Sequence, residues 1–275
     1  FLPTLAFCQQ REIDSILNFL QQYKKEDTVK SYALTQLSYY YQGTNLKMAE
    51  KYAYEACLLS QKNNNKRDMS CAMSQLGSVY CWQHRTTEAL KMYADEMEIA
   101  TQGNLQYWEA DAYLGMAYVY EVEEDWTKAL EYTLKATKKA EAVKNDLIMG
   151  FSYNRLAITY LQLDQKTKAV EYCKKAITIF KSHASLDQLG DSYINMGRIY
   201  HAQGAYDVSQ IFFDSSIQIF ERLNEPYQLA DVYQNMGEML IDKLELDEAS
   251  LSFSKALTSF KQANAEEADL AMSTI

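Results

Sequence analysis

The residue types that most often carry out chemistry are few and scattered in this sequence. The three histidines, His84, His183 and His201, lie far apart, without the i, i+4 pairing or the cysteine pairs that bind zinc. Cys71 and Cys81 are separated by about 15 Å if they share one helix, which is too far to bind a single metal ion. The glycines are dispersed rather than gathered in a phosphate-binding loop. The sequence therefore predicts a protein that is not an enzyme, with no catalytic residues, no metal and no cofactor.

Two other groups of polar or reactive side chains have structural interpretations. The acidic run at residues 121–125 is interpreted as a solvated hairpin tip, with a patch for a cation or a basic partner as the alternative. The five cysteines are an odd number at irregular spacing, which argues against a disulfide framework. Four of them fall within apolar helical patterns and are interpreted as small buried hydrophobic residues: Cys57, Cys71, Cys81 and Cys173.

The overall composition favours an all-α protein. Of the 275 residues, 48% are hydrophobic, and only two prolines and nine glycines are available for the many tight turns of a β protein. The net charge of −10 provides no positive surface for nucleic acid or for an anionic membrane. The sequence also lacks an apolar run long enough to span a bilayer. We therefore expect a protein or peptide partner, with no direct contact to nucleic acid or membrane by this fragment.

One pattern of small and large residues recurs six times along the chain. A small residue is followed three positions later by a large one, and from Gly77 onward the small residue returns at a constant interval. The six pairs are Ser38/Tyr41, Gly77/Tyr80, Ala117/Tyr120, Ala157/Tyr160, Gly197/Tyr200 and Gly237/Leu240. A second small residue follows in each unit, at Ala49, Ala89, Ala129, Ala169, Ser209 and Ala249. Small residues allow two helices to approach closely, so the pattern predicts six helix-turn-helix units.

These units resemble the tetratricopeptide repeat family. The resemblance rests on motifs such as Leu-Gly-Ser-Val-Tyr at 76–80 and Glu-Ala-Leu-Lys-Met-Tyr at 88–93, and it covers residues 31–262. It implies a right-handed α-solenoid of tandem helix-turn-helix repeats. The usual period of the family is about 34 residues, so the longer interval between Gly77 and Ala117 implies second helices extended by about a turn and a half. Two departures, Glu96 at an alanine position and Leu240 at a tyrosine position, predict local repacking.

The repeat phase also divides the chain into segments. Residues 9–30 are predicted to form an N-terminal capping helix and linker, because apolar residues recur there at helical spacing. Residues 31–262 form the six hairpins, and residues 263–275 are predicted to start a truncated seventh repeat. Residues 1–8 resemble the tail of a secretory signal peptide, with a lipoprotein cleavage box or an arbitrary chain boundary as alternatives.

The surface of the first helices is the predicted binding site. In a right-handed stack these helices line a concave groove, where amides can pair with the backbone of an extended peptide and tyrosines offer an apolar ring with a polar tip. The groove positions lack the lysine of the carboxylate clamp found in chaperone-binding members of the family. The residues predicted to contact the partner are Tyr39, Gln75, Tyr118, Asn154, Arg155, Asn195, Arg198 and Gln234.

The predicted function is a non-catalytic scaffold that binds a protein or a peptide. The long period and the signal-like N-terminus resemble the extracytoplasmic repeat regions of Bacteroidetes-type sensors and regulators, which implies a periplasmic location and a larger signalling or transcriptional protein. The alternative is a cytoplasmic regulator that resembles quorum-sensing receptors and binds a short peptide in the groove. A catalytic role would require further chain beyond this sequence. Weak self-association is expected through an apolar face formed by Phe253, Leu257 and Phe260.

Overall fold

The described part of the chain is helical throughout. The computed structural model describes the backbone of residues 6–273 and the side chains of residues 12–262, and these residues form no strand. The signal-like segment 1–8 lies outside the residues whose side chains are described. The helices are α1 (Ala6–Gln22), α2 (Thr28–Gln42), α3 (Leu46–Lys62), α4 (Lys66–Trp82), α5 (Thr86–Gly103), α6 (Gln106–Val122), α7 (Trp126–Val143), α8 (Asp146–Gln162), α9 (Lys166–Ser182), α10 (Leu186–Ala202), α11 (Tyr206–Leu223), α12 (Pro226–Asp242) and α13 (Leu246–Ser273).

The chain forms two compact units, residues 1–148 and 149–275. In unit 1, α1 packs on α2, and three hairpins follow: α2/α3, α4/α5 and α6/α7. Unit 2 contains the hairpins α8/α9, α10/α11 and α12/α13. We call α2, α4, α6, α8, α10 and α12 the first helices and their partners the second helices. This arrangement confirms the all-α solenoid class of tandem helix-turn-helix repeats.

The turns recur twice in every repeat, at equal spacing along the chain. A left-handed residue lies in the turn at each of these positions: Asn64, His84, Asn104, Glu124, Lys144, Asp164, Ala184, Gly204, Asn224 and Leu244. A left-handed residue ends a helix and reverses the chain without a long loop. Consequently the first and second helices of the hairpins from α2 to α11 are of nearly equal length. The expected extension of the second helices is therefore shared with the first helices, because the two halves of the repeat are nearly equal in length.

Each hairpin closes over the small residue that defined the repeat. A Cβ atom added to Gly197 would lie 2.5 Å from Phe213 Cε1, so the ring occupies the space that a larger residue would need. The same arrangement places the ring of Phe253 against Gly237. Close packing of this kind explains why the repeat alternates glycine or alanine on one helix with an aromatic ring on the other.

The large residue of the motif has its own partner on the second helix. Tyr120 stacks on Tyr132 with ring centroids 5.3 Å apart, and Tyr200 stacks on Phe212 at 5.5 Å. Pairs of the same kind are Tyr41/Tyr52 and Tyr160/Tyr172. Such ring pairs add to the burial of apolar surface and orient the two helices. Four of the six hairpins thus hold a stacked ring pair between their helices.

Two serines at small positions of α11 bind the backbone of α10. Ser209 Oγ donates to the carbonyl oxygen of Gly197 at 2.8 Å, and Ser216 Oγ donates to that of Gly190 at 3.0 Å. Both hydroxyls are buried, and the hydrogen bonds satisfy them there. Serine is therefore tolerated at two positions where most of the other hairpins carry alanine.

The last helix has no turn at the position where the seventh repeat is predicted to begin. α13 continues from Leu246 to Ser273, although Asn264 aligns with the left-handed Asn224. The following residues are rich in alanine and glutamate, which favour a helix, and glycine and proline are absent from residues 263–275. The start of a seventh repeat at 263 remains a prediction.

Candidate functional site

In unit 1, polar side chains link neighbouring first helices. Gln75 on α4 donates through Nε2 to Gln42 Oε1 on α2 at 2.8 Å, and Gln42 Nε2 donates to Ser78 Oγ at 2.7 Å. Ser74 Oγ in turn donates to Asp111 Oδ2 on α6 at 2.6 Å. Hydrogen bonds between polar side chains therefore join α2 to α4 and α4 to α6.

The two tyrosines predicted for the site in unit 1 lie in different environments. Tyr39 is 60% exposed on α2 and meets Tyr40 edge to face. Tyr118 on α6 is half-buried and packs against the hydrophobic cluster around Tyr93 and Val119. Tyr39 offers an accessible ring, whereas Tyr118 belongs partly to the core.

In unit 2, the structure brings the two predicted asparagines into contact. Asn195 Nδ2 on α10 donates to Asn154 Oδ1 on α8 at 3.1 Å. Asn195 is only 8% exposed, and Asn154 is half-buried. One amide pair uses one donor and one acceptor, so each side chain keeps further hydrogen-bonding capacity. The pair fixes the orientation of both amides across the two helices.

Charged residues also lie on the first helices of unit 2. Arg155 and Arg198 are half-buried on α8 and α10. Lost hydration raises the pKa of Asp231 on α12, and the positive charge of Arg198 partly opposes that rise. His201 Nε2 lies 2.8 Å from Asp242 Oδ2, which links α10 to α12. Gln234, the last predicted site residue, is exposed on α12 and donates to Glu238 Oε1 at 3.2 Å.

Gln234 also lines a pocket within unit 2. The cavity has a volume of about 280 Å³ and is lined by Asp191, Tyr227, Gln228, Asp231, Gln234 and Phe260. Tyr227, Gln228 and Phe260 were not predicted as site residues, because they lie outside the repeat positions that define the groove. The one signal for them in the sequence is Pro226, which starts α12 and places Tyr227 and Gln228 in its first turn.

Negative charge is concentrated around this pocket. Lost hydration, together with the negative charges of Asp187, Asp231 and Glu225, raises the pKa of Asp191 to about 7. Among the described residues, no hydrogen bond or ion pair is made by the Asp191 carboxylate. The Oε1 atom of Gln228 is fully buried and has no hydrogen-bond partner within the described part of the chain. The pocket therefore contains hydrogen-bond acceptors, Asp191 and Gln228 Oε1, to which no described residue donates a hydrogen bond.

Three of the described cysteines are buried thiols that are not activated as nucleophiles. Burial raises the pKa of Cys57, Cys71 and Cys173 to about 12, so these thiols are protonated at neutral pH. Within residues 12–262, no cluster of three or more histidine, cysteine, aspartate or glutamate side chains is arranged to hold a metal ion. None of the described helices combines the length and the apolar character that crossing a membrane requires.

Comparison with known proteins identifies the repeat. A family model described as tetratricopeptide repeat matches residues 108–182, which include the hairpin α8/α9. No curated protein sequence matches the chain at a significant level. Solved structures, however, match nearly its whole length.

Three solved structures show the range of these similarities. A Rap protein complexed with competence and sporulation factor has a TM-score of 0.74 at 18% identity, over 94% of this chain and 73% of the other. NprR in complex with its cognate peptide NprX has a TM-score of 0.63 at 19% identity, over 98% and 80% of the two chains. A signal transduction ATPase from Pyrococcus horikoshii with a tetratricopeptide repeat sensor has a TM-score of 0.63 at 21% identity, over 94% and 43%.

At these identities the solved structures establish the fold. The family model establishes the repeat at 108–182, and the other hairpins share its phase of small residues and stacked rings. Residues 108–182 therefore match the tetratricopeptide repeat, and they lie within a longer series of helical hairpins of similar arrangement.

Proposed function

We propose that this protein is a non-catalytic scaffold that binds an extended peptide, or an extended segment of a protein, on the first helices of unit 2. The observation that carries the proposal is the hydrogen-bonded pair of Asn154 and Asn195, which holds two amides in fixed orientation on adjacent first helices. Two proteins of similar fold are described as complexes with a peptide or with competence and sporulation factor.

The geometry of stacked helices suits an extended ligand. Packed helix axes lie about 8–10 Å apart, and an extended peptide advances about 3.3 Å per residue, so it meets a new helix every three residues or so. The free donor and acceptor groups of Asn154 and Asn195 would pair with the peptide backbone, while Arg155 or Arg198 would pair with a carboxylate. Because Asn195 is largely buried, its main contribution is to position Asn154.

Unit 1 supports a second surface of the same kind. The amide of Gln75 is held by Gln42, and Tyr39 presents an exposed ring on the neighbouring first helix. We propose that Tyr39, Gln75 and Tyr118 contact the same class of partner.

Two cellular settings fit a scaffold of this kind. One is the sensory or interaction region of a larger bacterial signalling protein in the periplasm, and the other is a cytoplasmic regulator that responds to a peptide. The flanking genomic sequence distinguishes them. A signal peptide upstream and an apolar stretch of about 20 residues downstream would support the first setting, whereas a DNA-binding helix-turn-helix upstream would support the second.

Alanine substitution of both asparagines tests the proposed site. A library of random extended peptides is selected on the wild-type chain, and the recovered peptides are measured against Asn154→Ala/Asn195→Ala. We expect affinity to fall at least tenfold, since each lost hydrogen bond contributes about 0.5–1.5 kcal/mol. Gln218→Ala, an exposed amide on the second helix α11, is the matched control and should bind normally. Undiminished binding by a folded double variant would place the site elsewhere.

A further inference from the structure

The pocket of unit 2 holds hydrogen-bond acceptors that the described residues satisfy only in part. Asp191 and Asp231 bring two carboxylates to its wall, of which Asp231 accepts a hydrogen bond from Asn235 Nδ2 at 3.1 Å, and the buried Oε1 atom of Gln228 has no partner within the described residues. Burying a polar group without a hydrogen bond costs about 1–3 kcal/mol, and more when the group is charged. A ligand that supplies donors and positive charge would remove this cost, whereas an anionic ligand would increase it.

The other residues that line the pocket indicate which class of cation it would bind. Tyr227 and Phe260 present two aromatic rings whose centroids are 5.6 Å apart, and ring faces attract organic cations. The described acidic groups do not form a metal-binding arrangement. The volume of about 280 Å³ is smaller than that of most small-molecule sites, which begin at about 300 Å³, and suits a single side chain.

We propose that this pocket binds an arginine or lysine side chain of the peptide ligand. Asp191 and Asp231 pair with the cationic group, Gln228 Oε1 accepts one of its hydrogen bonds, and the rings of Tyr227 and Phe260 cover its aliphatic stem. Gln234 belongs both to the pocket wall and to the predicted groove, so the basic residue enters from the same surface that holds the peptide backbone. The proposal rests on the proposed function and adds that the bound peptide should contain an arginine or a lysine.

A single basic residue tests the pocket without a known ligand. Nα-acetyl-L-arginine methylamide and its neutral isostere Nα-acetyl-L-citrulline methylamide are titrated into the full chain at pH 8, and the backbone amides of Tyr227, Gln228 and Gln234 are followed by NMR. We expect saturable shifts with the arginine probe and affinity about tenfold weaker for citrulline, since hydrogen bonds between charged groups contribute about 1.5–3 kcal/mol. Equal affinities, or no shift at these three amides, would overturn the proposal.

Charge-neutralising variants locate the interaction. Asp191→Asn and Asp231→Asn should each weaken the arginine probe severalfold. Glu221→Gln removes the same charge from an exposed position on α11, outside the pocket, and should not change the affinity. An equal loss in all three variants would reveal attraction to the net negative charge rather than a site, and would contradict the proposal.

The peptide library separates this inference from the proposed function. If selected peptides depend on Asn154 and Asn195 but show no enrichment of arginine or lysine, the scaffold function stands and the pocket assignment fails. If the arginine probe binds the pocket but the library yields no peptide, the pocket stands and peptide binding fails. Enrichment of basic residues that disappears on Asp191→Asn would support both.

Discussion

Glu96 is the residue where this sequence departs most sharply from its own repeat. It occupies a position that is alanine in four other hairpins, at Ala56, Ala136, Ala176 and Ala256. Its side chain is fully buried, and neither carboxyl oxygen has a hydrogen-bond partner among the described residues. Burial, with a further contribution from the negative charge of Asp111, raises the pKa of Glu96 well above its ordinary value. Burial in the folded protein therefore favours the neutral form of this carboxyl.

This buried acid should make the protein less stable as the pH rises. Protonation favours the folded state below the ordinary glutamate pKa of about 4.3, and the advantage is lost as the pH increases towards the raised value. We expect Glu96→Gln to raise the free energy of unfolding at pH 8 by at least about 1.4 kcal/mol, the free energy of one pKa unit, because the amide stays neutral without binding a proton. Urea denaturation at pH 5 and pH 8 measures this, and the variant should gain less at pH 5. An equal gain at both values would show that ionisation is not the cause.

Asp191 should make the free energy of unfolding depend on pH as well, over a defined range of pH. Its pKa is about 7 in the folded protein, compared with about 3.9 for an ordinary aspartate. The folded state therefore binds one more proton than the unfolded chain between about pH 4 and pH 7, and stability falls across that range. We expect Asp191→Asn to flatten the unfolding profile between these values and to have little effect below pH 4. If the stability of the variant fell with pH as steeply as that of the wild type, other titratable groups would be responsible for the dependence between pH 4 and pH 7.

At the scale of elements, the contact between Gly197 and Phe213 determines how closely α10 and α11 approach. The added Cβ of an alanine would lie 2.5 Å from the Phe213 ring, so the ring or the helix must move. Overpacking of this kind costs about 1–3 kcal/mol, and we expect Gly197→Ala to lower the melting temperature accordingly. Gly43→Ala is the control, because Gly43 is right-handed and nothing lies within 4 Å of its added Cβ. It should be neutral or slightly stabilising.

A double variant identifies the ring as the obstacle. In a Phe213→Leu background the space beside Gly197 is no longer filled by an aromatic edge, so the alanine should cost less than in the wild type. Additive losses would mean that the backbone of α11, rather than the ring, limits the approach.

The turns also carry a local cost, because most of their left-handed positions are occupied by residues other than glycine. A left-handed L-residue costs roughly 1–2 kcal/mol, partly offset because glycine loses more entropy on folding. We expect Ala184→Gly to raise the free energy of unfolding by about 0.5–1 kcal/mol, and Gly204→Ala, at φ +74°, to lower it by a similar amount. Thermal unfolding of both variants measures this. Lys174→Gly in the middle of α9 should instead destabilise by about 1 kcal/mol, which excludes a general effect of glycine.

The sequence specifies the hairpins well because their packing depends on local and repeated contacts. A small residue and a ring at fixed spacing, as at Gly197 and Phe213, are sufficient to predict two packed helices. The spacing of the turns was harder to predict, since left-handed residues such as Leu244 and Glu124 carry no turn signal in their side chains.

The candidate site was harder to predict from the sequence than the hairpins were. The repeat phase placed Asn154 and Asn195 on successive first helices, but their mutual hydrogen bond depends on side-chain conformations that a repeat pattern does not encode. The pocket combines the start of α12 with Phe260 of α13, which are distant in sequence and meet through antiparallel packing. Neither end belongs to the repeat motif.

For the molecule as a whole, α13 carries the largest group of exposed apolar side chains among the described helices. Leu251 and Leu257 are each more than half exposed, and Phe260 is 43% exposed. A helix with one buried face exchanges with solvent more readily than helices packed on both sides. We therefore expect hydrogen exchange to be faster in α13 than in α10 and α11. Equal protection in the three helices would contradict this expectation.

The same surface predicts weak self-association. Leu257→Lys should reduce any dependence of the sedimentation coefficient on concentration, because it introduces charge into the apolar face. Lys174→Glu, which alters an exposed residue of α9, is the control and should leave association unchanged. Association that survives Leu257→Lys would arise from another surface.

The even spacing of the left-handed turns has a consequence for how such a chain changes length in evolution. Because each of the left-handed turns from Asn64 to Leu244 reverses the chain in the same way, a deletion of one complete hairpin between them rejoins a second helix to a first helix and restores the pattern of small residues and rings. A deletion of a single helix with its turn would also leave an intact turn at the junction. Every later first helix would then occupy the place of a second helix, and side chains that bind the partner would stand where packing side chains are needed. Natural variants should therefore gain or lose hairpins in whole pairs of helices.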